Sequence, residues 1–274
     1  ARFVDRVFAA FNGTILQRQS EGPLGTVYVA HGDPSLSQAN FGLAIGHLEV
    51  DERDVPHVVF DLLHHWAPSD FPEGVVDYVL IEEEIFDLVK RFGIQTLTFD
   101  PWNSAASIQR LQRRIDQAHL PRRTQVIERN PTAELNWEVA EIFKTAIGHD
   151  LIHAHHYPLA DAELRGLELQ NGKVRAPTTG PVVTKDVADA MMWTTYTLIG
   201  KRATEIFDRL ASLPILAGVP VPSLHQPVEG RPDPIAQLRA LTWRNRPGPA
   251  AAPGQYYNPA RGISRRPGRR GLWS

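Results

Sequence analysis

The sequence predicts an α/β fold: a mixed five-stranded central sheet flanked by helices, and behind it a basic C-terminal tail that is disordered. Three observations carry that expectation. Three β-rich apolar runs, Thr26 to Gly32, Phe41 to Val50 and His57 to Leu63, lie close enough together to form a meander. Segments of helical period then alternate with short apolar runs from residue 76 to residue 128. From Pro214 onward the chain turns to Pro, Gly and Arg and holds too little apolar bulk to order itself.

Each element has its own signal. Phe3, Val7, Phe8, Phe11 and Ile15 make an apolar stripe that predicts a lead-in helix over Arg2 to Gln17, ended by Gly22-Pro23-Leu24-Gly25. Residues 76–92 have helical period and a Gly93 stop, after which Ile94 to Phe99 is a short buried strand. Ser104 to His119 is an amphipathic helix with Ile108, Leu111 and Ile115 inward. Thr124 to Glu128 is the fifth strand, and Glu134 to Ile147 a third long helix. His149 to Tyr157 is irregular and histidine-rich, Leu164 to Leu169 and Lys173 to Ala176 make a turn and a strand, and a helix over 184–210 starts at Thr184 as N-cap with a break at Gly200. One short helix is expected around Ile235 to Trp243. The resulting division is a lead-in helix over 1–24, a compact domain over 25–212 and a Pro/Gly/Arg-rich extension over 213–274.

Composition narrows the chemistry. With no cysteine among 274 residues, disulfides, thiolate zinc sites and cysteine nucleophiles are excluded, so any metal must sit on carboxylates or histidines. No apolar run approaches the roughly 20 residues of a membrane span, and the opening Ala1-Arg2-Phe3-Val4-Asp5 lacks signal-peptide order, which makes the cytosol the expected location. The net charge of −2 hides an asymmetry: from Arg231 to the end there are nine arginines and one acid, so residues 1–230 carry a balance of −10. An acidic body argues against general coating of DNA. It is compatible with a concentrated carboxylate site and a separate phosphate-seeking arm, built on Arg261, Arg265, Arg266, Arg269 and Arg270.

Three meandering strands, a helix, a strand, a helix, a strand and further helices is the order of the RNase H-like fold. In it the first and fourth strands are neighbours and the closing helix packs beside them, so three aspartates are expected to converge: Asp33 and Asp100 from two strand ends, Asp186 from a helix start. Asp189, three residues on, shares the face of Asp186. Each alone has an ordinary explanation, since Asp before Pro (Asp33-Pro34, Asp100-Pro101) is commonly a turn residue and Asp in a first helical turn commonly complements the macrodipole. Jointly they occupy three positions of one topology. Three carboxylates brought together repel one another unless divalent cations neutralise them, and an all-oxygen ligand set points to two Mg2+ or Mn2+ ions and phosphodiester chemistry.

The segments Ala30-His-Gly-Asp33-Pro-Ser-Leu-Ser, Leu97-Thr-Phe-Asp100-Pro-Trp-Asn-Ser104 and Gly180-Pro-Val-Val-Thr-Lys-Asp186-Val-Ala-Asp-Ala190 resemble the C-terminal nuclease domain of tailed-phage large terminase subunits, over about residues 25–200. The resemblance implies a metal-dependent endonuclease that cuts concatemeric double-stranded DNA during genome packaging in the bacterial host cytoplasm, with the terminase small subunit and the portal protein as partners. Asp33, Asp100 and Asp186 match the family's catalytic, metal-binding acids, and Asp189 is a further metal ligand. No Gly-x-x-x-x-Gly-Lys-Ser/Thr loop is present, so the chain resembles the nuclease half without its packaging ATPase. Two other readings stand beside this one: a non-catalytic DNA or portal-docking module, and another RNase H-like nuclease such as a junction resolvase.

The remaining polar features have ordinary readings. Glu82-Glu83-Glu84 is expected on the solvated face of its helix. His149, His153, His155 and His156 lack the spacing of a zinc site and are expected at the surface or in hydrogen bonds. His31 shares a sheet face with Asp33 as a packed strand histidine or a donor behind the acids, Asp61 is a bystander near the site, Lys185 a residue that either faces solvent or positions a phosphate, and Trp102 and Asn103 shape the pocket.

Overall fold

The computed structural model describes residues 2–34, 40–100, 105–170, 173–177 and 179–212. The chain divides into two units, Ala1–Val219 and Pro220–Ser274, and the second lies outside the described residues. So do Trp102, Asn103, the expected helix at 235–243 and the arginine-rich tail.

Six strands form one mixed sheet. They are β1 (Tyr28–Asp33), β2 (Phe41–Val50), β3 (Pro56–Trp66), β4 (Ile94–Phe99), β5 (Gln125–Glu128) and β6 (Ile152–Ala154), in the spatial order β5-β4-β1-β2-β3-β6. The meander β1-β2-β3 is antiparallel, whereas β4 lies parallel to β1, β5 to β4 and β6 to β3. The helices are α1 (Arg2–Val7), α2 (Tyr78–Phe92), α3 (Ala105–Gln117), α4 (Ala133–Gly148), α5 (Pro158–Gly166), α6 (Asp186–Ile199) and α7 (Ala203–Ser212), and a hairpin of β7 (Glu168–Gln170) and β8 (Lys173–Arg175) stands apart from the main sheet. This is the expected RNase H-like arrangement with one strand more than expected.

The sixth strand comes from the stretch expected to be irregular. Ile152, His153 and Ala154 are all buried and pair with Val58, Val59 and Phe60. A three-residue strand buried on both faces has no alternation to reveal it. The lead-in helix is shorter than the stripe suggested. It ends at Val7, and Asn12 (φ 49°) and Gly13 (φ 75°) turn the chain so that Phe11 and Thr14 pair as a small hairpin. Asn-Gly between residues that pair is a turn signal, and here it overrides the helical spacing. Ile15 is accordingly exposed while Phe11 is buried.

Two apolar layers cover the sheet. On one face α2 and α3 bury Ile81, Ile85, Leu88, Val89, Ile108, Leu111 and Ile115 against Tyr28, Leu43, Leu97 and Phe99. α2 is well delimited: Asp77 accepts from the Val79 and Leu80 N–H groups at its start, and Gly93 closes it in the left-handed conformation. On the other face α6 packs over β1, β2 and β3, and α4 and α5 pack against α6. α6 is apolar nearly all round, with Val187, Ala188, Ala190, Met191, Met192, Trp193 and Ile199 buried, as a helix wedged between a sheet and two neighbours must be. Fully burying each large side chain of this kind contributes roughly 1.5–3 kcal/mol. α6 ends in a 3-10 turn at Gly200–Arg202 before α7, which is the break expected at Gly200.

Glu82 does not belong to a solvated face. It is buried and accepts from Arg110 of α3 at 2.8 Å, whereas Glu83 and Glu84 are exposed and Glu84 accepts from the Trp66 indole. Among the described residues no helix is long and apolar enough to cross a membrane.

Candidate active site

Parallel pairing of β1 with β4 sets Gly32 against Phe99, so the next residues, Asp33 and Asp100, leave the sheet side by side. Phe99 packs with the α2/α3 layer. By alternation Asp100 and Thr98 take the opposite face, as do Asp33 and His31, and that is the face α6 covers. The helix reaches them because of Gly42, the partner of Asp33 on β2: a Cβ there would overlap the Asp186 carbonyl and the Val187 nitrogen. Close backbone approach, rather than a turn, is what this glycine permits.

The start of α6 is held unusually. Lys185 is the N-cap and makes no capping hydrogen bond, and Thr184, expected in that role, donates its hydroxyl to Glu163 Oε1 at 2.7 Å. Glu163 Oε2 accepts from the Ala188 N–H at 2.9 Å. A fully buried carboxylate on α5 thus caps α6 from outside the helix and fixes where Asp186 begins. Sequence reading missed Glu163 because it placed residues 158–166 outside any helix; Pro158 at the first turn and the Asp161/Arg165 pair, at 2.8 Å, are the signals that mark α5.

The three aspartates share one electrostatic environment. Burial pushes the Asp33 carboxyl up to about 8; the Lys185 ammonium opposes this, and the charges of Asp100, Asp186 and Glu163 add to it. Asp186 is pushed up to about 7 by burial and by Glu163, against Lys185 and the Asn40 N–H. Asp100 rises to about 6 through burial, again opposed by Lys185. Asp100 Oδ1 and Asp186 Oδ2 are buried oxygens with no hydrogen-bond partner. Asp189 differs: its carboxylate is bound by Lys185 one turn before it, so the structure ties it to the lysine and not to the other three. Lys185 is itself only a third exposed and acts on all three acids, so it is not a plain surface residue.

Behind the acids lies a buried layer. His31, fully buried, faces Thr98 Oγ1 through Nδ1 at 2.7 Å and Asp100 Oδ1 through Nε2 at 3.7 Å, and its ring stacks on Trp193 of α6 at 5.8 Å. Burial, with the Arg129 charge, lowers its pKa to about 3, so it is neutral. Asp61 is not near this site. His47 holds it at 2.5 Å beside Tyr28, which opens β1 where Asp33 ends it.

Among the described residues no three His, Asp or Glu side chains already stand as a cation site. The donor set nevertheless fits a hard divalent ion: carboxylate oxygens from rigid elements, two of them buried and unpartnered, with pKa values raised chiefly by burial.

No protein-family model matches the chain, and no curated protein matches it in sequence. Solved structures match its fold. The large terminase of bacteriophage HK97 aligns over 72% of this chain and 43% of its own length, at a TM-score of 0.50 and 14% identity. The large terminase nuclease domain of a Thermus phage aligns over 73% of this chain and 95% of its own, at a TM-score of 0.50 and 10% identity. The fold is therefore RNase H-like. More narrowly, it is the fold of large-terminase nuclease domains, in agreement with the resemblance carried by the segments around Asp33, Asp100 and Asp186. This chain spans less than half of the HK97 protein.

Proposed function

We propose that the chain is a divalent-metal-dependent DNA endonuclease of the large-terminase type, acting on concatemeric phage DNA during packaging. One observation carries the proposal: at the edge where β1, β4 and α6 meet, a fold shared with terminase nuclease domains holds three carboxylates around the Lys185 ammonium, two of them with orphaned buried oxygens. Leaving such groups without partners costs stability, so their retention favours a ligand-binding role.

In this reading Asp33, Asp100 and Asp186 would hold the cations, the first two from adjacent strand ends and the third from the helix start, and Asp189 would act at one remove through Lys185. Bound Mg2+ or Mn2+ supplies neutralisation of the charge that develops on the attacking and leaving oxygens. The chain's own contribution is to fix the three carboxylates on elements that cannot drift: Gly42 and Glu163 set the position of Asp186, and His31 and Thr98 back Asp100. Hydrolysis forms a bond from water oxygen to phosphorus and breaks the bond from phosphorus to the 3′-oxygen, which leaves as the hydroxyl. The terminase small subunit and portal, and a site of action in the host cytoplasm, follow from the same reading.

The test is cleavage of supercoiled plasmid by the full chain with Mn2+, Mg2+ or EDTA. Nicking and linearisation are expected only with the ions, and not in Asp100→Asn. A folded chain that binds duplex yet cuts under no ion is the docking module instead, and a preference for four-way junctions over duplex identifies a resolvase.

A further inference from the structure

Among the described residues, the lysine that acts on the three acids is already engaged by another carboxylate. It is Lys185, held by Asp189, and residues 1–230 carry an excess of acids. A polyanion approaching three carboxylates needs a positive group fixed beside them. One arginine stands in that place.

Arg129 directly follows β5. Its backbone N–H donates to the Phe99 carbonyl at 2.7 Å, which sets it level with Asp100 on the neighbouring strand. Val126 packs into the α2/α3 layer, so alternation sends the Arg129 side chain to the α6 face with Asp33 and Asp100. There its guanidinium lies over Trp193, 5.9 Å from the ring centroid, on the side chain that also stacks on His31. Its hydrogen bond is a long one, Nη2 to Thr197 Oγ1 at 3.5 Å, and its Nε is buried without a partner. Glu138 of α4 accepts from the Tyr196 hydroxyl at 3.4 Å, and among the described residues no ion pair joins Arg129 to a carboxylate. A half-buried guanidinium with five donors, one of them weakly used, is costly to hold unless an anion completes it. Its flat fork fits two oxygens of a phosphodiester.

We infer that Arg129 is a substrate-binding residue that grips a backbone phosphate of duplex DNA flanking the one that is cut, on the β5 side of the acids. The contact is independent of base sequence. The inference rests on the nuclease reading for the identity of the cut, but the phosphate contact is measurable without it.

The test uses the full chain and a duplex oligonucleotide, with affinity followed against salt in Ca2+ and steady-state cleavage in Mn2+. Arg129→Met keeps the aliphatic packing on Trp193 and removes the charge. It is expected to weaken binding about tenfold at low salt, to lower the slope of log affinity against log salt by about one, and to raise KM more than it lowers kcat. Arg129→Lys should keep the slope while losing part of the affinity. A folded Arg129→Met protein with wild-type slope and KM overturns the inference, and leaves Arg129 as packing for Trp193. If that variant melts early, Arg129→Gln decides in the same way. Failure of the wild type to cut with Mn2+ removes the nuclease reading. A lost unit of slope in Arg129→Met would still stand as evidence for the phosphate contact.

Discussion

The edge of the sheet where β1 and β4 end and the edge where β3 meets β6 are both crowded with ionisable groups, and they treat them in opposite ways. At the first, Asp33, Asp100 and Asp186 are gathered with one lysine and no full set of donors. At the second, the histidines pair largely with one another and with their neighbours: His57 and His153 share a 2.8 Å hydrogen bond, His155 accepts from the Leu63 N–H at 3.1 Å, and His65 meets the Tyr157 hydroxyl at 2.6 Å, which leaves His57 Nε2 and His153 Nδ1 buried without a hydrogen bond. Phe11 stacks on His153 at 4.1 Å and closes that edge. Neutral imidazoles can be donor and acceptor at once and so can bond to one another, whereas ionised carboxylates only accept. The difference is one of charge: the histidine edge gathers imidazoles that pair with one another, whereas the acid edge gathers three like-charged groups around the Lys185 ammonium.

The sharpest way to break that contrast is substitution at both edges. Asp33→Asn, Asp100→Asn and Asp186→Asn are each expected to abolish Mn2+-dependent plasmid cutting with the fold retained by circular dichroism, while His153→Gln should cut at the wild-type rate. Near-normal cutting by any of the three aspartate variants would remove that residue from the site.

pH separates the same two regions. The three acids have folded pKa values raised from 3.8 to about 6, 7 and 8, so between those limits the unfolded chain has given up protons the folded chain retains. Their contribution to stability is whole below about pH 4 and is lost as pH rises towards about 8. His64 and His153 are lowered to about 4, chiefly by burial, so their contribution is whole above about pH 6.5 and is lost as pH falls towards about 4. The two trends oppose one another between about pH 4 and 6.5, and above about pH 6.5 only the loss from the acids remains. Millimolar Mn2+ should raise the protein's melting temperature most at about pH 8, by a free energy on the order of 2–4 kcal/mol. An ion effect that is equal at pH 5 and pH 8 would mean the ions bind elsewhere.

Smaller effects test the scaffolding of each edge. Gly42→Ala places a methyl against the Asp186 carbonyl and should cost about 1–3 kcal/mol in urea unfolding, with a larger loss of cutting than that destabilisation explains. His153→Gln removes one hydrogen bond and the stack on Phe11, for about 1 kcal/mol, and should soften the loss of stability below pH 6. Asp189→Ala frees Lys185 and should reduce cutting by the least, a few-fold by initial rate. A loss as deep as that of the Asp33 variant would make Asp189 a primary ligand.

Local signals were enough for much of this molecule. The runs that became β2 and β4, the Gly93 stop and the break at Gly200 were legible because each depends on residues within one turn or one strand of itself. So was the order of elements, and with it the adjacency of Asp33 and Asp100 across 67 positions. The buried three-residue β6 and the helix α5 were not legible, since a strand buried on both faces shows no alternation and a nine-residue helix with Ala160 and Leu164 as its buried apolar residues has too short a stripe to show a period. The α1 stripe misled, because Asn12-Gly13 outweighed spacing that only packing could have upheld.

The sequence by itself determined which residues are available to be a site: carboxylates at two strand ends and a helix start, in a chain without cysteine. Only the tertiary structure decided how they differ. It assigned Asp189 to Lys185 and Asp61 to His47, capped α6 with Glu163, and set Arg129 level with Asp100 and over Trp193. Those outcomes depend on which side chains from distant elements arrive at the same few ångströms, and on how much water is excluded when they do. Neither quantity has a period or a motif along the chain.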